Sequence, residues 1–201
     1  MSSELLLMVC SANVCRSPLA ELLLRRHLAD LPFLRIESAG VRVQGESVIC
    51  ALVGDLYGDD AWRSAALAHR SRLASRDLLR GAALVLAMDR SVRSEVVRTE
   101  PAVRDRVFLL RDAANLVEGF SPDEPTRGIG VVSRFAMHLD RNRALRAIGP
   151  HERGLFRKRR EVDRSSIEDG HGLTPRRHAG ALDDVTGAAE ILASALTGRA
   201  S

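Results

Sequence analysis

The chain has 201 residues, enough for one globular domain over 1–201 that buries a sizeable core without disulfides or metals. A formal charge of +4 comes from 29 arginines and one lysine against 26 acids, and only 3% of residues are aromatic, which leaves little to stack on bases and argues against a nucleic-acid partner. Cys10, Cys15 and Cys50 are too few and too unevenly spaced for a secreted disulfide scaffold, and no second Cys or His pair supplies metal-ligand spacing, so neither a metal nor another cofactor is expected.

The first residues, MSSELLLMVCSANVCRSP, hold a short apolar run with no basic lead and no small-residue cleavage site. It is far shorter than a membrane span, so the expectation is a cytoplasmic protein without one. The run Leu5 to Val9 reads as a parallel strand buried on both faces, ending at Cys10. After the small, polar loop from Ser11 to Cys15, Ser17-Pro18 marks a helix start, with Pro at the first position and Glu21 in the first turn. That helix runs to about Asp30, with Leu19, Leu22, Leu23 and Leu28 at helical spacing.

Further strands are expected at Leu34 to Ser38, followed by Ala39-Gly40, at Ala83 to Met88, and at Arg106 to Leu110. Helical patterns near 47–57, 75–80 and 90–99 lie between them, so the chain reads as a doubly wound α/β domain. From about 118 to 166 the sequence is turn-rich and then strongly charged, including RKRR at 157–160, and reads as an insertion with a possible central helix over Val131 to Leu145. A last helix, Ala181 to Leu196, should cover the sheet with Leu182, Val185, Ala189, Leu192 and Leu196.

The segment Cys10-Ser11-Ala12-Asn13-Val14-Cys15-Arg16-Ser17 puts a thiol and a guanidinium at either end of a short loop between a buried strand and a helix. Inward-pointing backbone amides and the helix N-terminus make such a loop a cradle for one phosphate. The same field favours the nucleophilic thiolate of Cys10. Arg16 offers a planar fork for two phosphoryl oxygens, and Ser17 can donate to the sulfur and make it a better leaving group.

VCSANVCRSPLAE resembles the loop of the low-molecular-weight protein tyrosine phosphatases, V-C-x-G-N-x-C-R-S-P-x-A-E. Glu37-Ser38-Ala39-Gly40, His69-Arg70-Ser71-Arg72, Leu84 to Asp89 and RVFLL follow in the order of that family. The resemblance implies a flavodoxin-like, four-stranded parallel sheet of order 2-1-3-4 and hydrolysis of a phosphomonoester through a cysteinyl-phosphate. It also implies that Asn13, Ser38 and His69 hold the loop in shape. The partner would be a phosphorylated protein or a small phosphomonoester.

Sulfur attack on a phosphomonoester needs a proton donor for the leaving oxygen and a base for water, and one carboxylate can serve both steps. The family carries it in a late Asp-Pro motif, whose nearest counterpart is Ile167-Glu168-Asp169-Gly170-His171-Gly172, making Asp169 the candidate and Asp163 the runner-up. Gly170 stands in place of Pro and should loosen that loop. Ala12 stands in place of Gly, which carries a cost if the position needs a positive φ.

Val14 matches the aliphatic residue of the tyrosine-directed members, where phosphoarginine-directed ones resemble each other in having Thr; Val43 and His171 fall at the places of the usual aromatic walls, and Tyr57 and Trp62 lie elsewhere. A thioredoxin-coupled arsenate reductase would need two redox cysteines downstream, and none follows residue 50. A phosphate-binding module that has lost turnover stays open as the non-enzymatic alternative. Cys15 is placed to trap oxidised Cys10 as a disulfide, or simply to pack, and Cys50 reads as structural.

Overall fold

The computed structural model describes residues 3–31, 33–123, 128–148 and 165–199; Asp163 and the RKRR run lie outside them. In chain order the elements are β1 (Glu4–Cys10), α1 (Arg16–His27), β2 (Leu34–Gly40), α2 (Ala51–Gly54), α3 (Asp60–Ala68), α4 (Arg76–Gly81), β3 (Ala82–Ala87), α5 (Arg90–Thr99), a 3-10 turn (Pro101–Arg106), β4 (Val107–Leu109), α6 (Leu110–Ala114), α7 (Val131–Ile148) and α8 (Pro175–Thr197). The four strands are all parallel in the order β2-β1-β3-β4, as expected for a doubly wound α/β fold.

The continuous apolar run of β1 has a direct cause. Leu6, Met8 and Cys10 enter a core built with α1, α6, α7 and α8, whereas Leu5, Leu7 and Val9 enter a second core with Leu79 of α4 and Val92 and Val96 of α5. A strand covered on both faces has no position left for a polar side chain. Among the described residues no helix is long and apolar enough to cross a membrane.

Several elements depart from the expected bounds. Helix α1 begins at Arg16, with the Leu19 amide donating to the Cys15 carbonyl at 3.0 Å, so Pro18 is the third helical residue. First-turn amides lack intrahelical acceptors, so proline is tolerated there as well as at the first position. Glu21 consequently falls beyond the first turn, and the helix closes at His27. The helix expected over 47–57 shrinks to α2 because the residues before it bond elsewhere: the Cys50 amide donates to the Val14 carbonyl and the Ser71 amide to the Ser47 carbonyl, both at 2.9 Å.

Helix α3 carries only Trp62 and Ala66 as buried residues, too thin an apolar pattern to read, and it is started by the Asp59 carboxylate accepting from the Trp62 amide. Leu110 opens α6 rather than closing β4. Helix α8 starts at Pro175, where Thr174 accepts from the Arg177 amide, rather than at Ala181. Helix α7 places Val132, Phe135 and Leu139 in the first core, and its N-terminus is capped from β1: Glu4 accepts from the Val132 amide at 3.0 Å and the Ser133 amide at 2.9 Å.

Candidate active site

Cys10 ends β1 at the carboxyl edge of the sheet, the edge where open α/β sheets form their crevices. Its buried Sγ accepts hydrogen bonds from the Asn13 amide at 3.2 Å and the Ser17 hydroxyl at 3.0 Å. The loop can turn back on the sulfur because Asn13 adopts φ 57°, the one non-glycine among the described residues with φ in the left-handed region. Asparagine tolerates that conformation better than other residues with a β-carbon. Ala12 does not adopt it, so the strain anticipated at Ala12 does not arise.

The Asn13 side chain is fully used. Its Nδ2 donates to Ser17 Oγ at 3.1 Å and Ser38 Oγ at 2.8 Å, and its Oδ1 accepts from the Arg72 amide at 3.0 Å. His69 Nε2 lies 2.9 Å from the Asn13 carbonyl. Ser38 in turn donates to Glu21 at 2.5 Å, and Ser17 also reaches the Ala39 carbonyl at 3.2 Å. Beneath this network Gly40 is an obligate glycine: a β-carbon there would stand 2.6 Å from the Ser11 carbonyl oxygen and 2.8 Å from the Asn13 nitrogen. Ser11 accepts from the Arg42 amide through its carbonyl, and Val14 accepts from the Cys50 amide, each at 2.9 Å.

Arg16 is 2% exposed. Its Nη1 donates to Asp89 at 2.9 Å and to the Ile167 carbonyl at 2.8 Å, and its Nη2 contacts Asp169 at 2.6 Å. Burial works against the Asp89 carboxylate, but hydrogen bonds from Ser91 and the Val92 amide, with the Arg16 guanidinium, outweigh it and hold the carboxyl below its usual range. Asp169 and Arg16 border a pocket of about 100 Å³ together with Cys10, Ala12, Val14, Cys15 and His171. Val43 is not part of that lining, and Trp62 is buried in the core, donating through its indole to the Val53 carbonyl.

The chain matches the model of the family described as low molecular weight phosphotyrosine protein phosphatase over residues 5–127, more than half its length. The chain belongs to that family. Among curated relatives, the low molecular weight protein-tyrosine-phosphatase Etp of Escherichia coli strain K12 is 31% identical over 104 residues, 52% of this chain and 67% of its own length. A protein-arginine-phosphatase of Geobacillus stearothermophilus is 32% identical over 117 residues, 57% of this chain and 74% of its own. In fold, the phosphatase is similar to the tyrosine phosphatase Wzb from Escherichia coli K30 solved with sulphate, with a TM-score of 0.60, 19% identity, and 96% of this chain and 98% of that one covered.

Sequence reasoning about this phosphatase missed three supporting residues. Asp89 reads in the sequence only as the end of the segment Leu84 to Asp89, yet it holds the Nη1 end of Arg16; Glu21 reads as helix-start charge, yet it holds Ser38; Arg72 donates its amide to Asn13 and its guanidinium to the Ser38 carbonyl at 2.8 Å. The only available signal was the family order of the segments carrying them. Gly170 also gains a different meaning. A β-carbon there would meet the His178 Cα at 2.6 Å, so the close approach of α8 selects glycine where the family carries proline.

Cys15 is buried, with its Sγ 3.2 Å from His171 Nδ1. Burial first, and then the adjoining Cys50 thiol, pushes the Cys15 thiol far above its ordinary range.

Proposed function

We propose that the chain dephosphorylates phosphotyrosyl proteins in the cytoplasm, with Cys10 as nucleophile, Arg16 as phosphate clamp and Asp169 as acid and base. The observation that carries this reading is the convergence of all three on one small pocket, with the Cys10 sulfur held by the Asn13 amide and the Ser17 hydroxyl. Free Cys10, Cys15 and Cys50 thiols accord with a reducing compartment.

In the first step the Cys10 thiolate forms a bond to phosphorus as the ester P–O bond breaks, and Asp169 gives its proton to the leaving oxygen. In the second, water attacks phosphorus, Asp169 takes the water proton, and the S–P bond breaks to return the thiolate. Ser17, already donating to sulfur, stabilises the charge that returns there. Asp89 and the Ile167 carbonyl hold the Nη1 end of Arg16, leaving the Nη2 end, now against Asp169, to take a phosphoryl oxygen. Ser11, Ala12, Asn13, Val14 and Cys15 supply the loop, whose shape Ser38 and His69 maintain through Asn13. Val14, half-buried on the pocket lining, presents the apolar surface suited to a tyrosyl ring.

The same reading treats residues 1–201 as one catalytic unit, with 118–166 as an insertion whose helix α7 shares the core. The test is hydrolysis of phosphotyrosyl and phosphoarginyl peptides and of a small aryl phosphate. Wild type is expected to prefer the phosphotyrosyl peptide, Cys10→Ser to abolish turnover, and Asp169→Asn to slow a poor leaving group by about 10²–10⁴-fold. Phosphate binding without turnover in wild type would overturn the catalytic reading in favour of a binding module.

A further inference from the structure

At the phosphate loop stand four side chains whose thiols and imidazoles take no part in the bond and proton transfers of the proposed reaction: Cys15, Cys50, His171 and His178, whose ligating atoms all lie within 4.8 Å of one another. They come from four separate places: the phosphate loop, the residue before α2, the loop that carries Asp169, and the start of α8. No spacing in the sequence brings them together, which is why a metal was not expected. We infer that these four residues form a tetrahedral binding site for a divalent transition metal of the zinc type.

The donor set is two thiols and two imidazoles, the combination of closed structural zinc sites. Zinc–sulfur bonds of about 2.3 Å and zinc–nitrogen bonds of about 2.0 Å, set tetrahedrally, place S and N about 3.5 Å apart. Of the four sulfur–nitrogen pairs in this cluster, two bracket that value, with Cys15 Sγ to His171 Nδ1 at 3.2 Å and Cys50 Sγ to His178 Nε2 at 3.7 Å, and all the ligating atoms lie within 4.8 Å of one another. The two imidazole planes stand at 87° with centroids 5.7 Å apart, so the rings meet edge to face rather than stacked and can turn their nitrogens to a common centre. Both thiols are buried and His178 is half-buried, while His171 is exposed and gives an ion its way in.

Binding displaces one proton from each thiol, giving a centre of two thiolates, two neutral imidazoles and M²⁺ with two protons released to solvent. The +2 of the ion and the −2 of the thiolates cancel, so the centre adds no net charge beside the phosphate pocket. Its effect is mechanical. It ties His171, on the same loop as Asp169, to Cys15 on the phosphate loop, and so adds a metal tether to a loop already held by Asp169 on Arg16 and by Glu168 on Arg177.

The site is tested without reference to turnover, so its failure is distinct from failure of the catalytic reading. The whole chain, reduced with a phosphine, is titrated with Zn²⁺ and Co²⁺ and measured by native mass spectrometry and visible absorption. One ion per chain is expected, with the intense bands of tetrahedral cobalt and thiolate charge transfer. Both persist in Cys10→Ser, which rules out capture by the nucleophile. Cys15→Ser, Cys50→Ser and His178→Ala each weaken binding by more than about 100-fold, beyond what loss of a residue merely supporting a ligand does. His178→Ala keeps the test valid should a cysteine variant fail to fold. Amide exchange across 167–173 slows on metal addition. The inference is overturned by no uptake, by an octahedral cobalt spectrum, by binding that Cys10→Ser removes, or by a Cys15–Cys50 disulfide in the protein as isolated.

Discussion

Replacing Asn13 separates the two tasks of that residue, conformation and hydrogen bonding. Asn13→Gly keeps the left-handed φ of 57° but removes the donations to Ser17 and Ser38 and the acceptance from the Arg72 amide. Two buried hydrogen bonds and a third that is partly buried, at about 1 kcal/mol each, give a destabilisation of about 3 kcal/mol. Asn13→Ala loses the same bonds and adds the strain of a left-handed residue with a β-carbon, about 1–2 kcal/mol. Against that, alanine gains about 0.4–1 kcal/mol over glycine from its stiffer unfolded chain. The net expectation is that Asn13→Ala is less stable than Asn13→Gly by roughly 0.5–1 kcal/mol, the reverse of their order at an ordinary helical position. Urea unfolding, compared at equal slope, measures this. An alanine variant as stable as the glycine variant, or a glycine variant within about 1 kcal/mol of wild type, would refute the assignment of Asn13 as keystone of the loop.

Gly170→Ala places a β-carbon against the α8 backbone and is expected to cost about 1–3 kcal/mol in denaturant unfolding and to lower turnover by shifting Asp169. A variant matching wild type in both would show that α8 yields easily there. Asp89 gives a pH signature. Its folded carboxyl titrates below the unfolded value of about 3.9, so the stabilisation the carboxylate draws from Ser91, the Val92 amide and Arg16 is fully present above that value and is lost as pH falls through the lower folded one. Acid unfolding of wild type should steepen below about pH 4, and Asp89→Asn should be both less stable at neutral pH and flatter across that range. Parallel curves for the two proteins would show that the Asp89 charge adds nothing to stability.

What the sequence determined by itself was whatever local chemistry fixes. Continuous apolar residues in β1 and β3 specify strands buried on both faces, and Cys10 with Arg16 and Ser17 at a strand-to-helix turn specifies a loop that gathers a thiol, a guanidinium and a hydroxyl, because these groups are near neighbours in the chain. Tertiary structure decided the rest. Residues 47–50 have helical character but are drawn out to brace Val14 and Ser71, since buried loop carbonyls and amides must find partners. Gly170 reads as looseness in isolation and becomes a close contact once α8 lies against it. Asp89 and Asp169 close on Arg16 from segments far apart in the chain, and Cys15, Cys50, His171 and His178 gather from four segments. Such groupings leave no periodicity or spacing to read, because only the folded sheet and its crossing helices set the distances between them.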